Sequence, residues 1–249
     1  MNFNSNNPLA IKISNLEKEY YLGKNKFLGL MGKISSKNNE LKKIKSINNL
    51  SLEIKTGDRV GLLGHNGSGK STLLRMVSDI TIPTKGEILI NGKVCSILQG
   101  RIGFHPELTG KENIYLSGVL HGMKRQEIDS NLDEIIEFSE CGNFIDTPLK
   151  RYSDGMTIKL AFSILSHLDG NIYIFDEMLA TVDQFFRKKV IKKIKLKLNK
   201  KNSSLIFVSH QIENIYDLCN KVIILEDGKL IFNGDLTEGI NKYKSLSFK

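Results

Sequence analysis

Short apolar runs alternating with helical periodicity outline this chain. Runs of strand length fall at 10–14, 50–54, 59–64, 87–98, 171–176, 204–209, 221–226 and 229–233. Between them, segments 70–79, 111–121, 126–140, 156–168, 184–199, 211–219 and 235–245 carry their apolar residues at helical spacing. Strands in alternation with helices predict a mostly parallel sheet covered by helices, the α/β class. The middle breaks the pattern, because no segment from 110 to about 168 reads as strand. Within 126–140, Ile128, Leu132, Ile135, Ile136 and Ser139 fall on one helical face, so this region is expected to form a helical lobe on the α/β core. A chain of 249 residues can bury a full core, and residues 1–249 are read as one domain.

Composition changes this picture in a few places. The apolar runs fall far short of the roughly 18 residues needed to cross a bilayer, and the polar start, Met1-Asn2-Phe3-Asn4, lacks the pattern of a secretory signal. Cys95, Cys141 and Cys219 are odd in number and widely spaced, which argues against a disulfide framework or a structural zinc site and fits a reducing cytosol. The net charge of +9 suits nucleic acid, an anionic membrane surface or a lysine-rich solvated surface, and the total does not choose among them. Position says more: between Tyr20 and Leu50 stand Lys24, Lys26, Lys33, Lys37, Lys42, Lys43 and Lys45 against one acid, Glu40. Phe27, Leu30, Met31 and Ile34 share a helical face there, so 22–46 is expected to be a basic insertion with an amphipathic helix at 25–35 suited to a membrane interface.

The chemistry gathers at the ends of the predicted strands. Gly64-His65-Asn66-Gly67-Ser68-Gly69-Lys70-Ser71 fits G-x-x-x-x-G-K-[ST], follows an apolar strand and opens a helix. Glycines let successive N–H groups turn inward on phosphates at a helix end that carries roughly half a positive charge. Lys70 adds a full charge near the β- and γ-phosphates, and the Ser71 hydroxyl is placed for Mg²⁺. The run Ile172-Tyr173-Ile174-Phe175 ends in Asp176 and Glu177: the first can hold Mg²⁺ through water, the second can polarise water attacking a γ-phosphate. His210 ends another strand, from where an imidazole can reach the γ-phosphate, and Gln99 can offer an amide oxygen to Mg²⁺ or to the water. Ser153 and Gly155 at a predicted helix start make a second anion site.

In that order of motifs the chain resembles the ATP-binding-cassette (ABC) ATPases, and more narrowly those that energise export of O-antigen, capsule or wall teichoic acid. The resemblance spans residues 10 to about 245. It implies a P-loop NTPase core with an N-terminal antiparallel β-subdomain and a helical subdomain. It identifies 64–72, through Thr72, as the Walker A loop, Gln99 as the Q-loop glutamine and Tyr152-Ser153-Asp154-Gly155-Met156 as the signature. Asp176 and Glu177 become the Walker B pair, Asp183 the D-loop aspartate, His210 the switch histidine, and Tyr20 or its neighbour Tyr21 the adenine-stacking aromatic. The narrower likeness lies in Gly103-Phe104-His105-Pro106-Glu107-Leu108-Thr109-Gly110-Lys111-Glu112-Asn113-Ile114, in 144–150 and in a signature that starts Tyr-Ser and ends Gly-Met. Asp154 and Val182 depart from it, standing where those exporters carry small residues.

The resemblance further implies ATP and Mg²⁺ as ligands and a second copy of the chain that completes each ATP site. It also implies separate transmembrane permease subunits, a lipid-linked polysaccharide met indirectly, and a peripheral place on the cytoplasmic face of the membrane. Residues 99–113 would form the permease docking groove, and 25–35 would meet the inner leaflet, the permease or the lipid-linked substrate. Nucleic acid is not expected, because the space between Lys70 and Asp176 is too small for the coiled-coil insertion of DNA-associated cassettes. The rival readings are an uptake or a lipoprotein-release ATPase.

Overall fold

The structure, a computed structural model, describes residues 9–22, 42–98, 103–176, 182–201, 203–209 and 211–246. Gln99, Glu177, His210 and the expected amphipathic helix at 25–35 lie outside the described residues.

Two sheets form, and they separate what the sequence seemed to join. β1 (Leu9–Leu22) pairs antiparallel with β2 (Lys42–Lys55), from Leu9 opposite Lys55 to Leu22 opposite Lys42. Both ends of the stretch 22–46 are therefore strand rather than insertion. The pair buries Ile11, Ile13, Leu16, Ile47, Leu50, Leu52 and Ile54 on one side, the pattern of an antiparallel sheet covered on one face. Asn15 and Asn49 take left-handed backbones, φ 47° and 51°, beside its register shifts, where asparagine is among the better-tolerated residues.

The apolar run 87–98 was expected to be one strand and is two. β4 (Lys85–Ile90) completes the antiparallel sheet on β1, whereas β5 (Val94–Ile97) starts the larger sheet. The break is Asn91-Gly92-Lys93: a Cβ on Gly92 (φ 128°) would stand 2.6 Å from Asn171 Cβ, and the Asn171 side chain accepts from Lys93 N at 2.9 Å. Hydrophobicity alone cannot show this turn.

The larger sheet takes β3 (Arg59–Leu63), β6 (Ile172–Phe175), β7 (Ser204–Phe207), β8 (Lys221–Glu226) and β9 (Lys229–Asp235) in the order β5-β6-β7-β3-β8-β9. All neighbours are parallel except the final hairpin, as alternation with helices requires. The sheet is apolar on both faces. Tyr173, Phe175, Leu205 and Phe207 point into one core with the helical lobe; Ile172, Ile174 and Ile206 point into another with the antiparallel sheet and α1 (Lys70–Val77).

The helical lobe holds α2 (Gly110–Leu120), α3 (Arg125–Ser139) and α4 (Asp154–His167). Thr109 and Glu112 cap α2 reciprocally, the Thr-x-x-Glu box. Asn113 is fully buried: its Nδ2 lies within 3.0 Å of the carbonyls of His105, Leu108 and Thr109, and its Oδ1 accepts from His105 N at 2.7 Å. One amide thus shapes the whole 105–109 loop. α5 (Gln184–Lys201), α6 (Ile212–Leu218) and α7 (Leu236–Ser245) complete the fold, the last capped by Asp235. Among the described residues no helix is long and apolar enough to cross a membrane, and the three cysteines are buried and unpaired.

Candidate nucleotide site

β3 runs straight into the phosphate loop, and the loop's backbone forbids side chains where it bends. At Gly64 a Cβ would stand 2.4 Å from Leu225 O and 2.5 Å from Ser68 Oγ. At Gly69, φ is 103° and a Cβ would meet Ser46 O at 2.6 Å. Gly69 is also the N-cap of α1, so no side chain closes the helix's first N–H groups and no acid sits in its first turn. Those donors and the positive helix end therefore suit an anion.

Lys70 is buried, and its ammonium donates to Gly64 O at 2.7 Å and His65 O at 2.9 Å, fixing the loop from inside. From outside, the turn between β8 and β9 holds it: Gly228 N donates to Ser68 O at 3.0 Å, Asn48 N donates to Gly228 O at 2.9 Å, and His65 Nε2 lies 3.6 Å from Asp227. The hydroxyls of Ser46 and Thr72 stand 2.8 Å apart.

Ser68 is fully buried, yet among the described residues its hydroxyl has no hydrogen-bond partner. A buried unpaired hydroxyl costs about 1–3 kcal/mol, so one here fits a donor meant for a ligand oxygen. For Mg²⁺ the chain offers the exposed Ser71 hydroxyl and Asp176, which follows β6 two strands from β3. No cluster of three His, Cys, Asp or Glu occurs among the described residues. One hydroxyl and one carboxylate suit Mg²⁺, which keeps waters and takes phosphate oxygens.

The residues expected to make a second anion site fall on the helical lobe. Ser153 caps α4, its Oγ accepting from Met156 N at 3.2 Å while remaining exposed, and Asp154 stands exposed in the first turn. Tyr152 anchors the approach by donating to Phe144 O at 2.8 Å, and burial pushes its phenol up to about 12. Asp183 caps α5 through Phe186 N at 2.9 Å and lies 2.7 Å from Lys159 of α4, which is also 2.6 Å from Glu140. The Lys159 ammonium first, then the Phe186 N–H, hold the Asp183 carboxyl below the usual aspartate range. Phosphate loop and Ser153 are thus held by different parts of the chain.

Residues 47–180 match the ABC transporter family. The chain belongs to the ABC transporter family. It is an ATPase of that family, and it is similar to export subunits. The O-antigen export system ATP-binding protein RfbB of Klebsiella pneumoniae is 39% identical over 240 residues, which are 94% of this chain and 97% of that protein. The teichoic acids export ATP-binding protein TagH of Enterococcus faecalis is 38% identical over 238 residues, 96% of this chain and 53% of that protein. In fold the chain matches an ATP-binding cassette solved as a dimer in a post-hydrolysis state with ADP and Pi, at TM-score 0.73 and 23% identity over 91% of this chain and 98% of that one.

Several parts of this ABC ATPase site carry no sequence motif. Ser46 and Asp227-Gly228 support the loop from strands distant in sequence; Asp-Gly marks a turn, but nothing local says what the turn packs on. Lys159 is an unremarked helix residue until folding brings Glu140 and Asp183 to it. Of the two tyrosines, Tyr20 shares its face with Lys18, whose ammonium lies 5.2 Å over the ring, and with Ile44 opposite. Tyr21 lies on the other face, opposite Lys43, and is 62% exposed.

Proposed function

We propose that this ABC ATPase powers export of a lipid-linked cell-surface polysaccharide, an O-antigen, capsule or teichoic acid, through separate membrane permease subunits at the cytoplasmic face of the membrane. The observation that carries the reading is the match to an O-antigen export ATP-binding protein over nearly the full length of both chains.

In this reading the N–H groups of 65–72, the Ser68 hydroxyl and Lys70 hold the ATP phosphates, and Tyr20 stacks on adenine. Ser71, Gln99 and Asp176 hold Mg²⁺, which supplies charge neutralisation of the phosphate oxygens. Glu177 polarises the attacking water and His210 fixes the γ-phosphate end. Ser153 and Gly155 of a second copy close the site across the ATP, with Asp183 near the interface, so ATP joins the two copies and its hydrolysis releases them.

Glu177→Gln tests the chemistry: in size-exclusion chromatography with ATP the variant should elute as a stable dimer without turnover, and wild-type turnover would remove Glu177 from this role. In the host, loss of the chain should strip the surface polymer and leave lipid-linked polymer inside. Lys70→Ala should fail to restore export, and an unchanged surface polymer in the deletion strain would refute the export reading.

A further inference from the structure

α5 carries eight lysines and one arginine and no acid. The arginine stands where two acceptors in different loops must be reached at once. From the first turn of α5, Arg187 Nη1 donates to Gln211 Oε1 at 2.7 Å, and Nη2 reaches Val182 O at 3.4 Å, next to Asp183. Gln211 is itself fixed: its Oε1 also accepts from Asn214 Nδ2 at 2.9 Å, and its N donates to the Ser209 hydroxyl at 3.1 Å. Ser209 and Asn214 are both buried, each 7% exposed. Residues 209 and 211 flank His210 in the sequence, so these hydrogen bonds fix the residue on each side of it.

We propose that Arg187 is a positioning residue that couples the segment ending at Asp183 to the loop carrying His210. The inference rests on the role given to His210 in the proposed function. Asp183 is tied through Lys159 to the helix that Ser153 heads, so the chain of contacts runs from the second anion site, through Asp183 and Val182, across Arg187 to Gln211. A shift of the Asp183 segment is then felt at Gln211, the residue that follows His210 in the sequence. The planar guanidinium serves both acceptors from one rigid fork, which an ammonium on a flexible stem does not.

The test is steady-state ATP hydrolysis by the full chain, with ATP affinity measured separately on the same preparations. Arg187→Ala should lower kcat about tenfold or more while KM and ATP affinity stay within about twofold, the signature of a lost effect on the chemical step rather than on binding. Arg187→Lys should recover only part of the loss. Gln211→Ala, at an exposed position, should reproduce most of it, and the double variant should be no worse than Arg187→Ala alone, because one interaction is removed twice. Additive losses, a loss confined to KM, or full activity in Arg187→Lys would overturn the proposal; if Arg187→Ala does not fold, Gln211→Ala decides. His210→Ala separates the two readings: if it abolishes turnover while Arg187→Ala and Gln211→Ala do not, the coupling alone fails, and if it turns over normally both fail.

Discussion

The phosphate loop opens α1 with no side-chain cap and no acid in the first turn, whereas the head of α4 carries the Ser153 cap and Asp154, and the two helix starts are held in place in opposite ways. The loop is made of backbone: glycines at 64 and 69 that tolerate no Cβ, carbonyls gathered by Lys70, and main-chain bonds to the β8–β9 turn. The α4 region is joined to α3 and α5 by charge: Glu140 to Lys159, Lys159 to Asp183, Lys189 to Glu140. Glu140 even holds a left-handed backbone, φ 59°, where it closes α3 beside Lys159. A backbone cradle has one geometry, whereas ion pairs between separate elements can be made and broken at small cost. That division suits the proposed site, whose first half grips nucleotide and whose second half comes from another copy.

The largest effect should come from the loop. Lys70→Met removes the one buried ammonium that serves Gly64 O and His65 O, leaving buried carbonyls short of donors at about 1–3 kcal/mol. It should also cut ATP hydrolysis by about a hundredfold or more, as loss of a preorganised charge at transferring phosphate does. Thermal unfolding and phosphate-release assays read the two arms. Gly69→Ala follows: at φ 103° with Ser46 O 2.6 Å away, the added methyl should cost about 1–3 kcal/mol and weaken ATP binding through the distorted helix start. If nucleotide affinity survives intact in that variant, the loop is more compliant than its contacts indicate.

These two loop residues were also the ones most legible in the sequence, and the reason is physical. A backbone cradle needs particular residues at fixed local spacing, so strand, glycines, Lys70 and Ser71 stand together within a dozen positions, and Asp176 follows from an apolar strand's end. The parallel sheet was legible for the same reason, since β6, β7 and β8 are uninterrupted apolar runs. What the sequence hid is tertiary. The split of 87–98 depends on Asn171, nearly 80 residues away, the clamp on the loop comes from β2 and the β8–β9 turn, and Lys159 gains its partners only on folding. The length of β1 and β2 was hidden as well, because Lys42, Lys43 and Lys45 read as a charged loop until their strand partners Leu22, Tyr21 and Glu19 are known.

The charge-held half should respond more mildly and with a different signature. Lys159→Met should uncouple α4 from Asp183 and Glu140, lower ATPase activity several-fold, and cost less stability than Gly69→Ala. Wild-type activity should fall more steeply with added salt than the variant's, since the variant lacks the ion pairs that screening weakens. The pH sign follows from Asp183. Its carboxyl is held low by Lys159 and by Phe186 N–H, so the tie is whole above the ordinary aspartate pKa and is lost only as pH falls through the lowered value. An unfolding series near and above neutral pH should therefore show no step from this pair, and Asp183→Asn should flatten the acid limb.

The smallest effect probes the acid at the head of α4. Asp154 stands exposed in the first turn of α4, where a carboxylate gains about 0.3–1 kcal/mol from the helix end. Asp154→Ser should lose that amount in thermal unfolding. In the proposed ATP-joined dimer the same carboxylate faces a partner copy's γ-phosphate, and like charges there oppose closure. Asp154→Ser should therefore raise kcat for ATP a few-fold, and it should strengthen the ATP-dependent dimer of a Glu177→Gln background in chromatography. A variant that loses stability with no gain in dimerisation would show that Asp154 serves its helix alone, and that the two halves of the site meet without it.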